Sequence, residues 1–202
     1  MPSVQNQIET RLRAMLIKHL QGQLPKIEAV CKQLLDSAIK LSSTYQSLRQ
    51  PTGQLRQELG IEHPQVIDQL MQIWVDSLRA TLIVRPKSLI VEVKAVSEYS
   101  DLIKVAFHPL ASYRTEKGAM IEFMRWLLFV GTQPVIEDHY VKRANPYEMQ
   151  FSRTDSLIMR EKRGAFYSVP PQYAGTIDNN FIVKVCQDIQ SEIFTAIRKA
   201  IQ

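Results

Sequence analysis

The sequence predicts an α+β fold, a small, mostly antiparallel sheet packed by helices, with a helical N-terminal part. Through residue 85, apolar side chains recur at three- and four-residue spacing, which is typical of amphipathic helices. Beyond Pro86, short segments alternate between apolar and polar residues, which favours strands. We therefore expect a helical part at 1–85 and an α+β part at 86–202 that ends in a helix.

Three helices are predicted in the N-terminal part, at 4–23, 26–48 and 64–83. Ser3 is a suitable N-cap for the first helix. Gly22 and Pro25 are expected to separate the first two helices, because proline lacks the N–H that a helix interior requires. Pro64 suits the start of the third helix, and Pro86 is expected to end it.

The C-terminal part supplies the predicted sheet and the helices that cover it. Arg163-Gly164 is expected to be a hairpin turn between the last two strands. Segment 97–105 fits a helix or a strand, and we favour a helix. The predicted strands are 89–96, 135–142, 156–162 and 165–169, and the covering helices are 119–130 and 180–201.

Composition narrows the class of protein. The chain has 202 residues, of which 45% are hydrophobic and 22% charged, as in a folded globular domain. Its longest apolar stretch, Trp126–Val130, is too short to cross a bilayer, so no membrane partner is expected. Cys31 and Cys186 occupy apolar positions of predicted helices, and we expect buried thiols, with a disulfide as the lesser alternative.

No combination of residues indicates catalysis. The four histidines are isolated from one another and from both cysteines, and no metal-binding spacing, nucleophile elbow or phosphate-binding glycine loop occurs. Asp138-His139-Tyr140 contains an acid and a base, but adjacent strand residues point to opposite faces. We therefore expect no catalytic residue, no cofactor and no bound metal.

Positive charge is concentrated near the N-terminus. Residues 1–49 hold seven Lys/Arg and three Asp/Glu, a net charge of +4, whereas residues 50–202 hold eighteen and seventeen, a net charge of +1. Two interpretations stay open for these helices, a solvated face and a nucleic-acid-binding face. Their apolar stripes are expected to pack into the protein's own core, with partner binding as the alternative.

The loop after the last predicted strand is expected to contact a neighbouring subunit. Its Pro-Pro corner lowers the entropy cost of ordering, and Gly175 is expected to take a positive φ. A side chain at Gly175 would strain this turn. Replacing Gly175 with Val and Tyr173 with Ala is expected to leave the isolated fold near its original stability but to block assembly. The predicted interface residues are Arg153, Pro170, Pro171, Gln172, Tyr173, Gly175 and Thr176.

Four stretches of the chain resemble virion structural proteins of tailed bacteriophages that complete the neck or tail. The resemblance covers roughly residues 47–185, and those proteins commonly have a glycine where Asp155 stands. The stretches are Ser47-Leu48 with 53–61; Trp126-Leu127-Leu128 with Gly131 and Tyr140; 152–154 with Met159; and 169–176 with 179–182.

This resemblance implies a structural subunit at the head–tail junction, as a neck, tail-terminator or tail-completion protein. It implies a homo-oligomeric ring, hexameric or dodecameric, that joins the portal or adaptor to the tail tube or sheath. Genome DNA would pass through such a ring. Assembly would take place in the host cytoplasm, and the mature location would be the virion. The alternative function is nucleic-acid binding by the basic N-terminal helices.

Overall fold

The computed structural model describes residues 4–95, 99–115 and 118–201. It is 55% helical and 22% strand, with small antiparallel two-stranded sheets, which confirms the predicted α+β class. The main elements, in chain order, are α1 Val4–Leu41, α2 Ser43–Arg49, α3 Gln54–Leu59, α4 Gln65–Ser77, β1 Arg79–Arg85, β2 Ser88–Lys94, α5 Tyr99–Ala106, β3 Tyr113–Arg114, β4 Met120–Ile121, α6 Phe123–Arg125, β5 Pro134–Arg143, β6 Leu157–Ser168, α7 Phe181–Asp188 and α8 Gln190–Ile201.

One helix replaces the two that were predicted at 4–23 and 26–48. Helix α1 continues through Gly22 and Pro25 and ends at Leu41. Pro25 removes one backbone hydrogen bond, but Leu20 and Ile27 are both buried against the body and hold the two halves in line. The separate helix α2 follows, because the Ser42 hydroxyl accepts the Tyr45 N–H as an N-cap. The predicted N-cap Ser3 lies outside the described residues.

The predicted helix at 64–83 is too long, and the predicted boundary near Pro86 lies in a turn between two paired strands. Helix α4 ends at Ser77, and β1 pairs with β2 in an antiparallel hairpin whose turn contains Pro86. Apolar side chains at Leu78 and Leu82 fit a helical period, but β-branched Ile83 and its neighbours favour a strand. The boundary thus falls inside a hairpin. The predicted strand 89–96 is observed as Ser88–Lys94, and Val96 lies outside the described residues.

The described strands form three separate two-stranded sheets rather than one sheet. The predicted hairpin at Arg163-Gly164 is wrong, because both flanks of Gly164 pair with β5. Glu137 pairs with Phe166 and His139 with Glu161, so residues 162–165 leave the ladder as a bulge. Gly164 has φ 76, and its N–H donates to Asp138 Oδ1 over 2.7 Å.

The other predicted helices are observed with changed limits. The preference for a helix at 97–105 is confirmed over the described residues, since α5 covers Tyr99–Ala106. The predicted helix 119–130 begins only at Phe123, after the short strand β4, and continues as a π-helical turn over Trp126–Val130. The predicted helix 180–201 is divided at Ile189 into α7 and α8.

A single cluster of buried side chains joins both halves of the chain. It includes Ile27 and Leu35 of α1, Trp74 of α4, Leu127 of the π-helical turn and Ile182 of α7. Trp74 meets Phe181 edge to face, with ring centroids 5.8 Å apart. The proposed parts 1–85 and 86–202 therefore share one core. Residues 4–19 of α1, which we call the arm, contribute no buried side chain to it.

Candidate functional site

The loop from Pro170 to Asn180 is fastened to the body by the side chain of Asn180. This side chain is 1% exposed. Its Oδ1 accepts the N–H groups of Ile182 and Val183, both over 3.1 Å, and so caps α7. Its Nδ2 donates to the carbonyls of Thr176 and Ile177 over 3.0 and 3.2 Å. One buried amide therefore fixes both the loop and the helix that follows.

Gly175 is required for close packing, and the predicted positive φ is wrong. Gly131 has positive φ, but Gly175 does not. A Cβ on Gly175 would lie 2.3 Å from the Leu127 carbonyl oxygen and 2.7 Å from the Asn180 Cβ. The Gly131 N–H also donates to the Gly175 carbonyl over 2.9 Å. Replacing Gly175 with Val would therefore disturb the fold itself, contrary to the sequence-based expectation.

The Pro-Pro corner forms a tight turn with an exposed tip. The Pro170 carbonyl accepts the N–H groups of Tyr173 and Ala174 over 2.9 and 3.1 Å. Pro171 and Gln172 are exposed, whereas Tyr173 is half-buried against the core. The Gln172 Nε2 donates to Gln54 Oε1 of α3 over 3.1 Å. Among the predicted interface residues of the loop, Pro171, Gln172 and Thr176 thus remain accessible.

Arg153 is engaged within its own chain. Its Nε lies 2.7 Å from Glu62 Oε1, and its guanidinium lies 4.0 Å from the centroid of the Tyr113 ring. The Tyr113 hydroxyl donates to the Leu59 carbonyl, and burial raises the pKa of Tyr113 to about 12. Arg153 therefore connects the chain before β6 to the end of α3. Its predicted contact with another subunit stays a prediction.

A second connection to α3 was missed in the sequence. The Tyr167 hydroxyl of β6 donates to Glu58 Oε2 over 3.0 Å. Burial, and then the charge of Glu58, raise the pKa of Tyr167 above its usual range. Gln54 also donates to Glu58, over 2.7 Å. Gln54 and Glu58 are four residues apart and so lie on one face of α3, which was the signal in the sequence that this face makes polar contacts. Their partners Gln172 and Tyr167 lie more than 100 positions away, so the sequence did not identify them.

The loop between β5 and β6 carries exposed aromatic side chains that sequence reasoning also missed. Tyr147 is 86% and Phe151 64% exposed. Between them, Glu148 binds Lys142 over 2.9 Å and Arg160 over 3.0 Å. These contacts, first of all the one with Lys142, lower the pKa of Glu148 to about 2. Both strands thus hold the loop in place and present its aromatic side chains to solvent.

Three further features of the described residues bear on metal binding, thiol chemistry and membrane insertion. Within 4–95, 99–115 and 118–201, no group of three or more His, Cys, Asp or Glu side chains is placed to hold a metal ion. Both cysteines are free, and burial raises the pKa of Cys31 and brings that of Cys186 to about 11. In the part of the chain that the structure describes, no helix is long and apolar enough to traverse a membrane.

Comparisons with known proteins give no relative of this chain. No family model, no curated protein and no solved structure matches it. A functional assignment therefore depends on the residues themselves and on how the fold arranges them.

Proposed function

We propose that the chain is a non-enzymatic structural subunit of a phage virion at the head–tail junction. In this role it forms a ring and joins the portal or adaptor to the tail. The observation that carries the proposal is the packing of the four resembling stretches against one another. Gly175 bonds to Gly131, Gln172 to Gln54, and Arg153 lies against Gly60. Stretches that are distant in sequence thus build one structural unit.

Accessible apolar surface is a second support. Monomeric soluble proteins seldom expose large contiguous apolar patches, and such patches mark contacts with other proteins. This chain exposes Tyr147 and Phe151 on one loop and five apolar side chains along the arm. Ring formation requires two different surfaces on each subunit, each of which meets the other on a neighbour. The exposed loop and arm give each subunit apolar surface for contacts with its neighbours.

A structural rather than catalytic role also accounts for the perturbed titrations. The raised pKa values of Tyr45, Tyr113 and Tyr167 follow first from burial. Each hydroxyl donates to a group of its own chain, namely Asp68, the Leu59 carbonyl and Glu58. Catalytic groups with shifted pKa values typically converge on a cleft. These three tyrosines instead connect elements of the fold.

The alternative, nucleic-acid binding by the N-terminal helices, has less support. Of the seven basic side chains in residues 1–49, four bond to groups of the same chain. Arg13 donates to backbone carbonyls, Lys32 pairs with Glu28, Lys40 with Asp36 and Arg49 with Asp68. A titration of DNA binding against salt separates the two functions, since phosphate contacts give a steep log–log slope.

The decisive experiment is measurement of the mass of the purified protein by native mass spectrometry, with negative-stain images of the same sample. We expect closed rings of six or twelve copies. Detection of the chain in purified virions, at a copy number equal to that of the ring, would complete the test. A protein that stays monomeric at all accessible concentrations, or that is missing from virions of the phage that encodes it, would contradict the proposal.

A further inference from the structure

The arm carries an apolar face that its own chain leaves uncovered. Five side chains lie along one side of the helix, at spacings of three or four residues apart from the adjacent pair Met15 and Leu16. They are 73, 54, 55, 69 and 53% exposed in the order Val4, Ile8, Leu12, Met15 and Leu16. We call this surface the arm stripe. A stripe of this spacing on a surface helix normally faces a protein core.

The arm is held in a fixed direction from its opposite side. Arg13 donates through one nitrogen to the Pro86 carbonyl over 2.6 Å and through the other to the Arg85 carbonyl. Both carbonyls belong to the turn of the β1–β2 hairpin. Arg13 and Ile17 are half-buried on that side, while the arm stripe faces away from it. The hairpin therefore supports the arm without covering the stripe.

The same side of α1 packs against a helix further along the chain. Eighteen residues make five complete helical turns, so Leu12 and Val30 share one side of α1, as do Leu16 and Leu34. Val30 and Leu34 line a groove of about 540 Å³ whose other wall is α8. The arm stripe is thus the continuation of a surface that already receives a helix. A helix is the partner whose shape matches it.

Charges beside the arm stripe favour a second copy in parallel orientation. Glu9 lies along one border of the stripe, and Arg11 and Lys18, two turns apart, lie along the other. When parallel helices surround one axis, each border of the arm stripe lies beside the opposite border of the stripe on the next helix. Glu9 of one copy then lies on the same side as Arg11 and Lys18 of its neighbour, and these unlike charges attract. Antiparallel pairing would place like borders, and like charges, side by side.

We propose that the arms of neighbouring copies pack in parallel through the arm stripe and form a helical bundle about the axis of the assembly. This inference rests on the proposed function, because it names a contact through which identical subunits assemble. The stripe is wide, with apolar side chains on both sides of its central row. Such a helix contacts two neighbours at once, as a member of a ring does.

Matched substitutions on the two sides of the arm test the contact. Leu12→Asp places a charge in the stripe, and Thr10→Asp places the same charge on the other side of the same helix, where Thr10 is exposed. Sedimentation velocity across a concentration series measures self-association. We expect Leu12→Asp to raise the dissociation constant of self-association about tenfold or more, and Thr10→Asp to change this constant less than about twofold. Both variants should melt at the wild-type temperature when dilute, because neither side chain is buried.

Disulfide trapping tests the orientation. Parallel arms bring Ile8 of one copy close to Ile8 of the next, so Ile8→Cys alone should form dimers on mild oxidation. Antiparallel arms would instead place Ile8 of one copy near Leu16 of the next, so cross-linking would require a mixture of Ile8→Cys and Leu16→Cys chains. The native protein is the control, since Cys31 is buried and burial raises the pKa of Cys186 to about 11. Cross-linking in the mixture alone would overturn the parallel arrangement.

The outcomes separate this inference from the proposed function. A native protein that is monomeric at every concentration contradicts both. A native protein that assembles, together with a Leu12→Asp variant that assembles equally well, overturns the arm contact and leaves the ring. If Leu12→Asp rings form normally but fail to enter virions, the stripe binds a different virion protein, and self-association through the arm is wrong.

Discussion

Gly175→Ala should destabilise the fold by about 3 kcal/mol. The added Cβ would lie 2.3 Å from the Leu127 carbonyl oxygen, 2.7 Å from the Asn180 Cβ and 2.9 Å from the Asn180 Cα. Two of these three atoms, the Leu127 oxygen and the Asn180 Cα, belong to the backbone, so relief requires the loop to move. Overpacking of this kind costs about 1–3 kcal/mol. Movement of the loop also weakens the Asn180 cap and the Gly131–Gly175 hydrogen bond, at about 1 kcal/mol each.

Urea denaturation and thermal melting measure this change. For a chain of this size, about 3 kcal/mol corresponds to a fall in melting temperature of about 6–12 °C. Gly22→Ala is the matched control, since nothing lies within 4 Å of a Cβ there and Gly22 lies inside α1. That substitution should stabilise the protein by about 0.5–1 kcal/mol. A Gly175→Ala protein within about 0.5 kcal/mol of the native free energy of unfolding would refute the packing explanation.

Three further predictions concern the segment between β5 and β6. Asp155 has φ 53, so Asp155→Gly should raise the free energy of unfolding by about 1 kcal/mol. Asp138 has a similar φ of 52, but Asp138→Gly should not raise the free energy of unfolding, because it removes the hydrogen bond to Gly164. The Thr154 hydroxyl is buried without a hydrogen-bond partner, so Thr154→Val should raise the free energy of unfolding by about 1 kcal/mol. Thr176 is exposed, so Thr176→Val should leave the free energy of unfolding unchanged. Equal effects of the two substitutions would exclude the buried hydroxyl as the cause. The pKa of Glu148 is lowered to about 2 in the fold, so its stabilising contribution is complete above its ordinary value of 4.5 and is lost as pH falls from there toward 2. Melting temperatures of the native protein and Glu148→Gln should therefore differ at pH 6 and converge near pH 2, and a difference independent of pH would contradict the assignment.

The sequence predicted a helix or strand correctly where the hydrophobic period and the nearby capping or turn residues indicated the same element. The start of helix α4 and strand β5 both follow from patterns within about ten residues. The prediction failed at Pro25, where tertiary burial on both sides outweighs a local helix breaker. It failed again at Gly164, since a glycine that interrupts a ladder looks the same at a bulge and at a hairpin turn.

The candidate site was only partly predictable for a similar reason. The Pro-Pro corner and the importance of Gly175 are visible in the sequence, but the reason for the glycine is the approach of Leu127, 48 positions earlier. The ion pair of Arg153 with Glu62 and the bond of Tyr167 to Glu58 likewise join distant segments. No local period encodes such contacts. They depend on the three-dimensional arrangement of α3 and β6.

The length of α1 gives it a mechanical property. A continuous helix of 38 residues extends about 57 Å, and it behaves as a stiff rod because each turn is bonded to the next. Pro25 interrupts this bonding once, but Leu20 and Ile27 are buried on either side of it, so the body of the protein keeps the helix straight there. A force applied at Ile8 is therefore transmitted along the rod to Leu20, where the helix enters the core. Pro25→Ala would restore the missing bond without changing the direction of the arm.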